Sequence, residues 1–174
     1  MGRKTKAKKG AESPMVRPTQ KSVEKYREIS EKLTDPSLLS RLRSLFERRY
    51  ALLELIGWVH KTVEWSKENI VRHNDPMEII AYGKGRCGEF SILFTALCLA
   101  HKYRARLILD MSDHVWTEVW DDERKRWIHL DPSSKKIDDP LMYERDWKKN
   151  LKEIYAFENG NVENVTKRYK MTEN

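Results

Sequence analysis

The sequence predicts an α+β domain: N-terminal helices packed on an antiparallel β-sheet, with a cysteine standing at a helix N-terminus. Three observations predict it. Leu38, Leu39, Leu42, Leu45, Phe46, Leu52, Leu53, Ile56, Val59 and Val63 recur at helical spacing in the first half. From Arg104 onward the texture changes to short alternating runs rich in β-formers. Asn159-Gly160 then separates two further runs, and that dipeptide suits a two-residue hairpin because both positions tolerate positive φ. With 174 residues and 39% hydrophobic positions the chain suits one domain that buries its own core.

Taken in order, residues 1–21 form a tail of low hydrophobicity, expected to be disordered. The domain is expected over 22–174 and opens with a polar helix from Ser22 to Leu33. Asp35-Pro36 marks the next helix start: Asp caps, and proline at the first helical position gives up an amide that had no partner. The apolar period then runs to about Trp65, long enough to expect a break before Gly57. Asp75-Pro76 repeats the start signal, and Gly83 can end that helix in a left-handed conformation. Gly85-Arg86-Cys87-Gly88 leads into an apolar helix reaching about Lys102. Strands follow over Arg104–Met111, His114–Trp120 and Arg126–Asp131. Asp138-Asp139-Pro140 starts a short helical turn, and Lys152–Phe157 and Val162–Thr166 flank the Asn159-Gly160 hairpin.

Composition excludes several classes. Two cysteines cannot make a disulfide framework or a four-thiolate zinc site. The longest apolar run, Phe90 to Ala100, is interrupted by Ser91 and Thr95 and falls short of the roughly 18 residues of a membrane span. The N-terminus carries charge without an apolar stretch, and Lys6 stands where a myristoylation site needs Ser or Thr. A soluble cytoplasmic monomer is the expectation. The net charge of +7 is concentrated in the tail, where Arg3, Lys4, Lys6, Lys8, Lys9, Arg17 and Lys21 face only Glu12. The tail is expected to stay solvated; its functional reading is weak attachment to RNA, ribosomes or acidic surfaces.

The chemistry begins at Cys87. At a helix start, unpaired amides and the positive end of the helix dipole favour thiolate over thiol. Cys98, inside Leu97–Ala100, belongs to the core. His114 opens a strand whose period of two puts His114, Trp116 and Glu118 on one face. With a four-residue loop at Asp121–Arg124, Glu118 opposes Trp127, Trp116 opposes His129 and His114 opposes Asp131. Opposed side chains lie about 4.5–5.5 Å apart at Cβ, close enough for imidazole and carboxylate to bond. Cys87, His114 and Asp131 thus form a candidate nucleophile, base and orienter, with the Cys87 amide as one oxyanion donor. His60, His73, His101, His114 and His129 show no paired metal-ligand spacing, and no cofactor is expected.

Gly85-Arg86-Cys87-Gly88-Glu89-Phe90, Asp113-His114-Val115-Trp116-Thr117-Glu118-Val119 and Trp127-Ile128-His129-Leu130-Asp131-Pro132 closely resemble the peptide:N-glycanase family of the transglutaminase-like superfamily. The resemblance continues through Pro140-Leu141-Met142-Tyr143, Trp147-Lys148-Lys149 and Tyr155-Ala156-Phe157 to Lys167-Arg168-Tyr169. It implies a papain/transglutaminase-like fold and a thiol-dependent amidase that cuts between asparagine and N-acetylglucosamine in misfolded or denatured N-glycoproteins. Cys87, His114 and Asp131 fall on the family's triad. Arg106, Trp116 and Glu118 fall on its further cleft residues, and Trp58 and Trp65 are both candidates for the tryptophan that assists the oxyanion. Against the resemblance, Arg106 reads as an exposed arginine and Trp116 as core, while Glu118 has no evident core role. Where the family's familiar members carry two cysteine pairs for structural zinc, this chain has none upstream of Cys87; Phe90 replaces a usual tryptophan, and Ser133-Ser134 stand near a usual cysteine. The resemblance therefore implies a compact, zinc-free core. Two other classes compete: a different thiol acyl-transfer enzyme or protease of this fold, and a binding module without turnover.

Overall fold

The computed structural model describes residues 18–172, so 1–17, which hold most of the basic tail, lie outside the described residues. Helix α1 (Pro18–Lys32) begins four residues earlier than expected, so residues 18–21 are helical and not tail. Arg27 on α1 pairs with Glu24 and Glu31 one turn to either side. Its other face buries Ile29 and Leu33 and sets Tyr26 against Phe157, ring centroids 6.0 Å apart. Helix α2 (Pro36–Arg43) is capped by Asp35, whose carboxylate accepts from Leu38 N at 2.9 Å. A cap of this kind contributes about 1 kcal/mol. The expected break falls at residues 44–51, and Gly57 stays inside α3 (Leu52–Thr62).

Two short parallel strands, β1 (Glu64–Trp65) and β2 (Lys84–Gly85), bracket α4 (Pro76–Tyr82). Asp75 caps α4 through Met77 N and Glu78 N, and Gly83 ends it at φ 72°. Helix α5 (Cys87–Ala100) follows β2 directly and is buried on nearly every side. It is seated on the sheet by Ser91 Oγ donating to the Val115 carbonyl (3.0 Å) and by the Thr95–Thr117 hydroxyl pair (2.9 Å).

The remaining elements are β3 (Ala105–Asp110), β4 (His114–Asp121), β5 (Arg126–Asp131), β6 (Lys136–Ile137), α6 (Met142–Arg145), β7 (Ile154–Glu158), β8 (Asn161–Asn164) and α7 (Thr166–Tyr169). The six strands form one antiparallel sheet in the order β6-β5-β4-β3-β7-β8. Asn159 and Gly160 both take positive φ, making the two-residue hairpin between β7 and β8. No helix among the described residues is long and apolar enough to cross a membrane.

Both faces of the sheet are covered. Leu107, Leu109, Val115, Val119 and Leu130 pack into the helical core with α5. Ile108, Trp116, Ile154 and Ala156 face a second core closed by Met142, Tyr143, Leu151, Val165 and Tyr169. The chain after β5 therefore supplies the second cover.

The β4–β5 register corrects the sequence expectation. Asp121 pairs with Arg126, Trp120 with Trp127 and Glu118 with His129, so His114 does not directly oppose Asp131. The loop is Asp122–Lys125, one residue further along than expected. Asp121 closes it by accepting from Glu123 N and Arg124 N, and Lys125 turns at φ 52°. The displacement is two residues in pairing, which preserves parity, so His114 and Asp131 keep a common face.

Candidate active site

Cys87 is the first residue of α5, and its position is built from the loop before it. The N-cap residue, Arg86, offers no side-chain cap of its own. Instead the buried Glu89 carboxylate reaches back to accept from Arg86 N (2.9 Å) and is paired by Arg72 (2.5 and 3.0 Å). Burial opposes ionisation of Glu89, but Arg72 and the Arg86 amide outweigh it and hold its carboxyl below the usual range. The Arg86 guanidinium donates to the carbonyls of Ser66, Lys67 and Glu68, tying the strand β1 exit to the cysteine loop. Gly85 is required here because a Cβ would stand 2.5 Å from Glu89 Cβ.

His114 opens β4, and its Nε2 lies 2.7 Å from Asp131 Oδ2. Burial opposes protonation of the ring, but Asp131 and Cys87 together raise its pKa to about 9. Asp131 is fully buried, and burial opposes its charge too. The contacts from His114, Ser133 and Tyr143 outweigh that and hold the carboxyl below its ordinary value. Ser133 Oγ donates to Oδ1 at 2.8 Å and Tyr143 Oη to Oδ2 at 2.9 Å. Of the three candidates, His114 and Asp131 are bonded to each other, and Cys87 stands at the start of α5. A nucleophile, a proton carrier and a fixed carboxylate are the parts of acyl-transfer chemistry.

The three expected cleft residues stand elsewhere. Arg106 is 4% exposed, and Trp116 and Glu118 are fully buried. Arg106 pairs with Glu118 (2.6 Å) and Glu163 (2.8 Å) and lies over the Trp127 ring at 3.9 Å. Glu118 also accepts from Tyr169 Oη at 2.5 Å and faces Arg168 at 3.1 Å. Trp116 stacks on Tyr143 with centroids 4.4 Å apart. Their burial corrects the expected place in an open cleft: these three join β4 to the elements packed around it. Glu118 does have a core role, because partners distant in sequence satisfy its charge.

Of the two tryptophan candidates, Trp58 packs against Phe46 at 4.9 Å within the helical core. Trp65 is 46% exposed on β1, which pairs with β2 immediately before Cys87. Sequence reasoning missed Trp147, which is 45% exposed with its ring 5.3 Å from that of His114. It also missed His129 and Tyr143 behind Asp131. Their position in the quoted motifs was the only signal, and no local pattern assigns them a partner. The structural zinc of the resembled family does not fit this donor set: Cys87 stands at the start of α5, Cys98 is buried eleven residues on in the same helix, and no cluster of three potential ligands occurs among the described residues.

Comparison with known proteins places the fold. The transglutaminase-like superfamily model matches residues 38–132, and the Rad4 transglutaminase-like domain model matches residues 111–174. The chain is 47% identical over 98 residues to the peptide-N(4)-(N-acetyl-beta-glucosaminyl)asparagine amidase of Arabidopsis thaliana, covering 56% of this chain and 14% of that protein. It is 45% identical over 98 residues to the enzyme of the same name from Drosophila melanogaster, covering 56% of this chain and 16% of the other. The chain thus spans a small part of the length of these relatives. A solved structure of Rad4-Rad23 bound to a 6-4 photoproduct UV lesion matches with a TM-score of 0.65 at 16% identity, over 86% of this chain and 46% of that one, which is a likeness of fold. The helices, the antiparallel sheet and the matched segment together make this chain a member of the transglutaminase-like superfamily.

Proposed function

We propose that the protein is a cysteine-dependent amidase that hydrolyses the amide joining asparagine to N-acetylglucosamine in N-glycoproteins or glycopeptides, releasing the glycan as its glycosylamine and leaving aspartate. The observation that supports the reading is the His114 ring bonded to the buried Asp131 carboxylate, with Cys87 as the first residue of α5. The names of the amidases matched over 98 residues support the substrate class. In the reaction, the Cys87 thiolate attacks the amide carbon and the carbonyl electron pair moves onto oxygen. The Cys87 backbone N–H and the Trp65 indole serve that oxyanion. Collapse breaks the C–N bond as His114 gives its proton to the departing nitrogen. His114 then takes a proton from water, which attacks the thioester and frees the thiolate. Asp131 holds the imidazolium that forms in the first half and again in the second. The exposed indoles of Trp65 and Trp147 offer apolar faces for sugar rings.

The test is mass spectrometry of a denatured N-glycopeptide incubated with the protein. Asparagine converted to aspartate with intact glycan released is the expected result; an unchanged glycopeptide overturns it. A binding module is the second reading, favoured by the Rad4 domain match over 111–174. It expects retained glycopeptide or nucleic-acid binding with no mass change. An added primary amine, if it is captured in place of water, identifies a transferase instead.

A further inference from the structure

His129, on β5 two residues before Asp131, and Tyr143, on α6, are both buried, and neither touches the reacting sulfur in the turnover described above. The backbone N–H of Asp139 points at His129 Nδ1, 3.2 Å away. An amide N–H only donates, so Nδ1 carries the lone pair and the ring proton sits on Nε2. Nε2 is 2.7 Å from Tyr143 Oη, which therefore accepts there. The tyrosine's own proton then goes to Asp131 Oδ2, 2.9 Å away, the same oxygen that takes the bond from His114 at 2.7 Å. Every direction in this chain is set by a backbone group that cannot reverse.

We infer that His129 and Tyr143 are positioning residues: a one-way chain of donors, anchored on the Asp139 backbone, holds the Asp131 carboxylate in the orientation His114 needs. The inference rests on Cys87, His114 and Asp131 as the reacting set and not on the glycan. Their surroundings argue against simple space-filling. Trp116 and Tyr169 pack around the pair, and apolar residues of the same size would close that core without buried polar groups to satisfy. Burial also lowers the His129 pKa to about 4, against the pull of Asp131, Asp139 and Asp138, so the ring keeps the neutral form the chain requires.

The experiment follows alkylation of Cys87 by iodoacetamide at pH 7 in the full chain, with peptide mapping to locate the label and thermal melts to report folding. Alkylation reads the sulfur without any glycan, so its outcome is separable from whether a glycopeptide is cleaved. Tyr143→Phe and His129→Leu should each slow it about tenfold, the scale of losing one hydrogen bond to a charged group. The double variant should be no slower than the slower single, because one chain is broken once. His129→Gln should recover most of the rate, since its amide can accept from Asp139 and donate to Tyr143. Wild-type rates in Tyr143→Phe, or single effects that multiply in the double, overturn the inference whatever happens to the melting temperature. Nitrogen NMR of the wild type needs no variant. The Nε2–H tautomer of His129 is expected at pH 7, and an Nδ1–H ring or an imidazolium refutes the chain.

Discussion

On its helical side the sheet presents Leu107, Leu109, Val115 and Val119 to α5; on the other side the same two strands present Arg106, Ile108, His114, Trp116 and Glu118 to the chain that follows β5. Both faces are buried, yet by different means. The first is closed by shape and apolar area, which tolerates many side chains of suitable volume. The second is closed by aromatic stacking and by charges whose partners must be in place. The proposed chemistry draws on both. Cys87 comes from α5 on the helical side, whereas His114 and Asp131 belong to the polar face, and they meet where β4 begins. A fold that buries a carboxylate beside an imidazole needs a cover on that face, and α6, α7 and the segment around Leu151 and Val165 provide it.

The largest expected effects are at the meeting point. Cys87→Ala should abolish turnover and leave the fold intact, since alanine suits a helix start. His114→Ala should be nearly as severe, because it removes the proton carrier that Asp131 holds. Asp131→Asn should fold and lose about 10⁴ in kcat, as an amide cannot hold the imidazolium. Kinetics on a glycopeptide check all three, and a Cys87→Ala variant that still turns over removes the triad altogether.

The next effect sharpens the contrast between faces. Glu118→Leu leaves Arg106 buried with a lost partner and should cost about 3–5 kcal/mol. Leu97→Ala, on the helical side, should cost about 2–5 kcal/mol through its cavity. Denaturant melts would then give similar losses. Turnover should separate them: the first displaces the strand that carries His114, and the second leaves the site alone. Equal loss of kcat in both would mean that the two faces are not distinct in function.

This division was half legible in the sequence. Period-two alternation put His114, Trp116 and Glu118 on one side, and the capping signals at Asp35 and Asp75 marked the helix starts as observed. The His114–Asp131 pair was legible because strand parity survives a two-residue error in pairing. The register was not, because the loop position depends on Asp121 capping its own turn and on Lys125 accepting positive φ. Nor was the burial of Glu118. Its partners Arg106, Tyr169 and Arg168 lie 12, 51 and 50 residues away, and local pattern carries no trace of them. The early start of α1 was hidden for a different reason: the basic composition that reads as tail continues into its first turn.

The two histidines of the polar face predict opposite pH limbs. His129 has an ordinary value near 6.5 in the unfolded chain and about 4 when folded. The unfolded chain therefore takes up a proton that the folded one refuses, and stability falls as pH drops from about 6.5 toward 4. The loss is on the order of 3 kcal/mol. His114, raised to about 9, contributes stability that is complete below about 6.5 and disappears as pH rises through 9. Urea melts across this range should show both limbs. His129→Gln should flatten only the acid one and His114→Gln only the alkaline one. If His129→Gln leaves the acid limb unchanged, the ring is not held neutral by its burial.

The smallest effect is expected at the second cysteine, and it isolates what position alone does for a thiol. Cys98 lies on the same helix as Cys87, eleven residues on and roughly 16 Å along the axis. It is fully buried among apolar neighbours, and burial pushes its thiol well above the ordinary range. It lies near the C-terminal end of α5, far from the positive helix end. Cys98→Ala should therefore cost only about 1 kcal/mol, the price of one small cavity, and leave kcat unchanged. Iodoacetamide should label Cys87 in the native protein and reach Cys98 only after unfolding. The reverse pattern, with Cys98 labelled first and essential for turnover, would show that the helix start and His114 do not activate the sulfur they enclose.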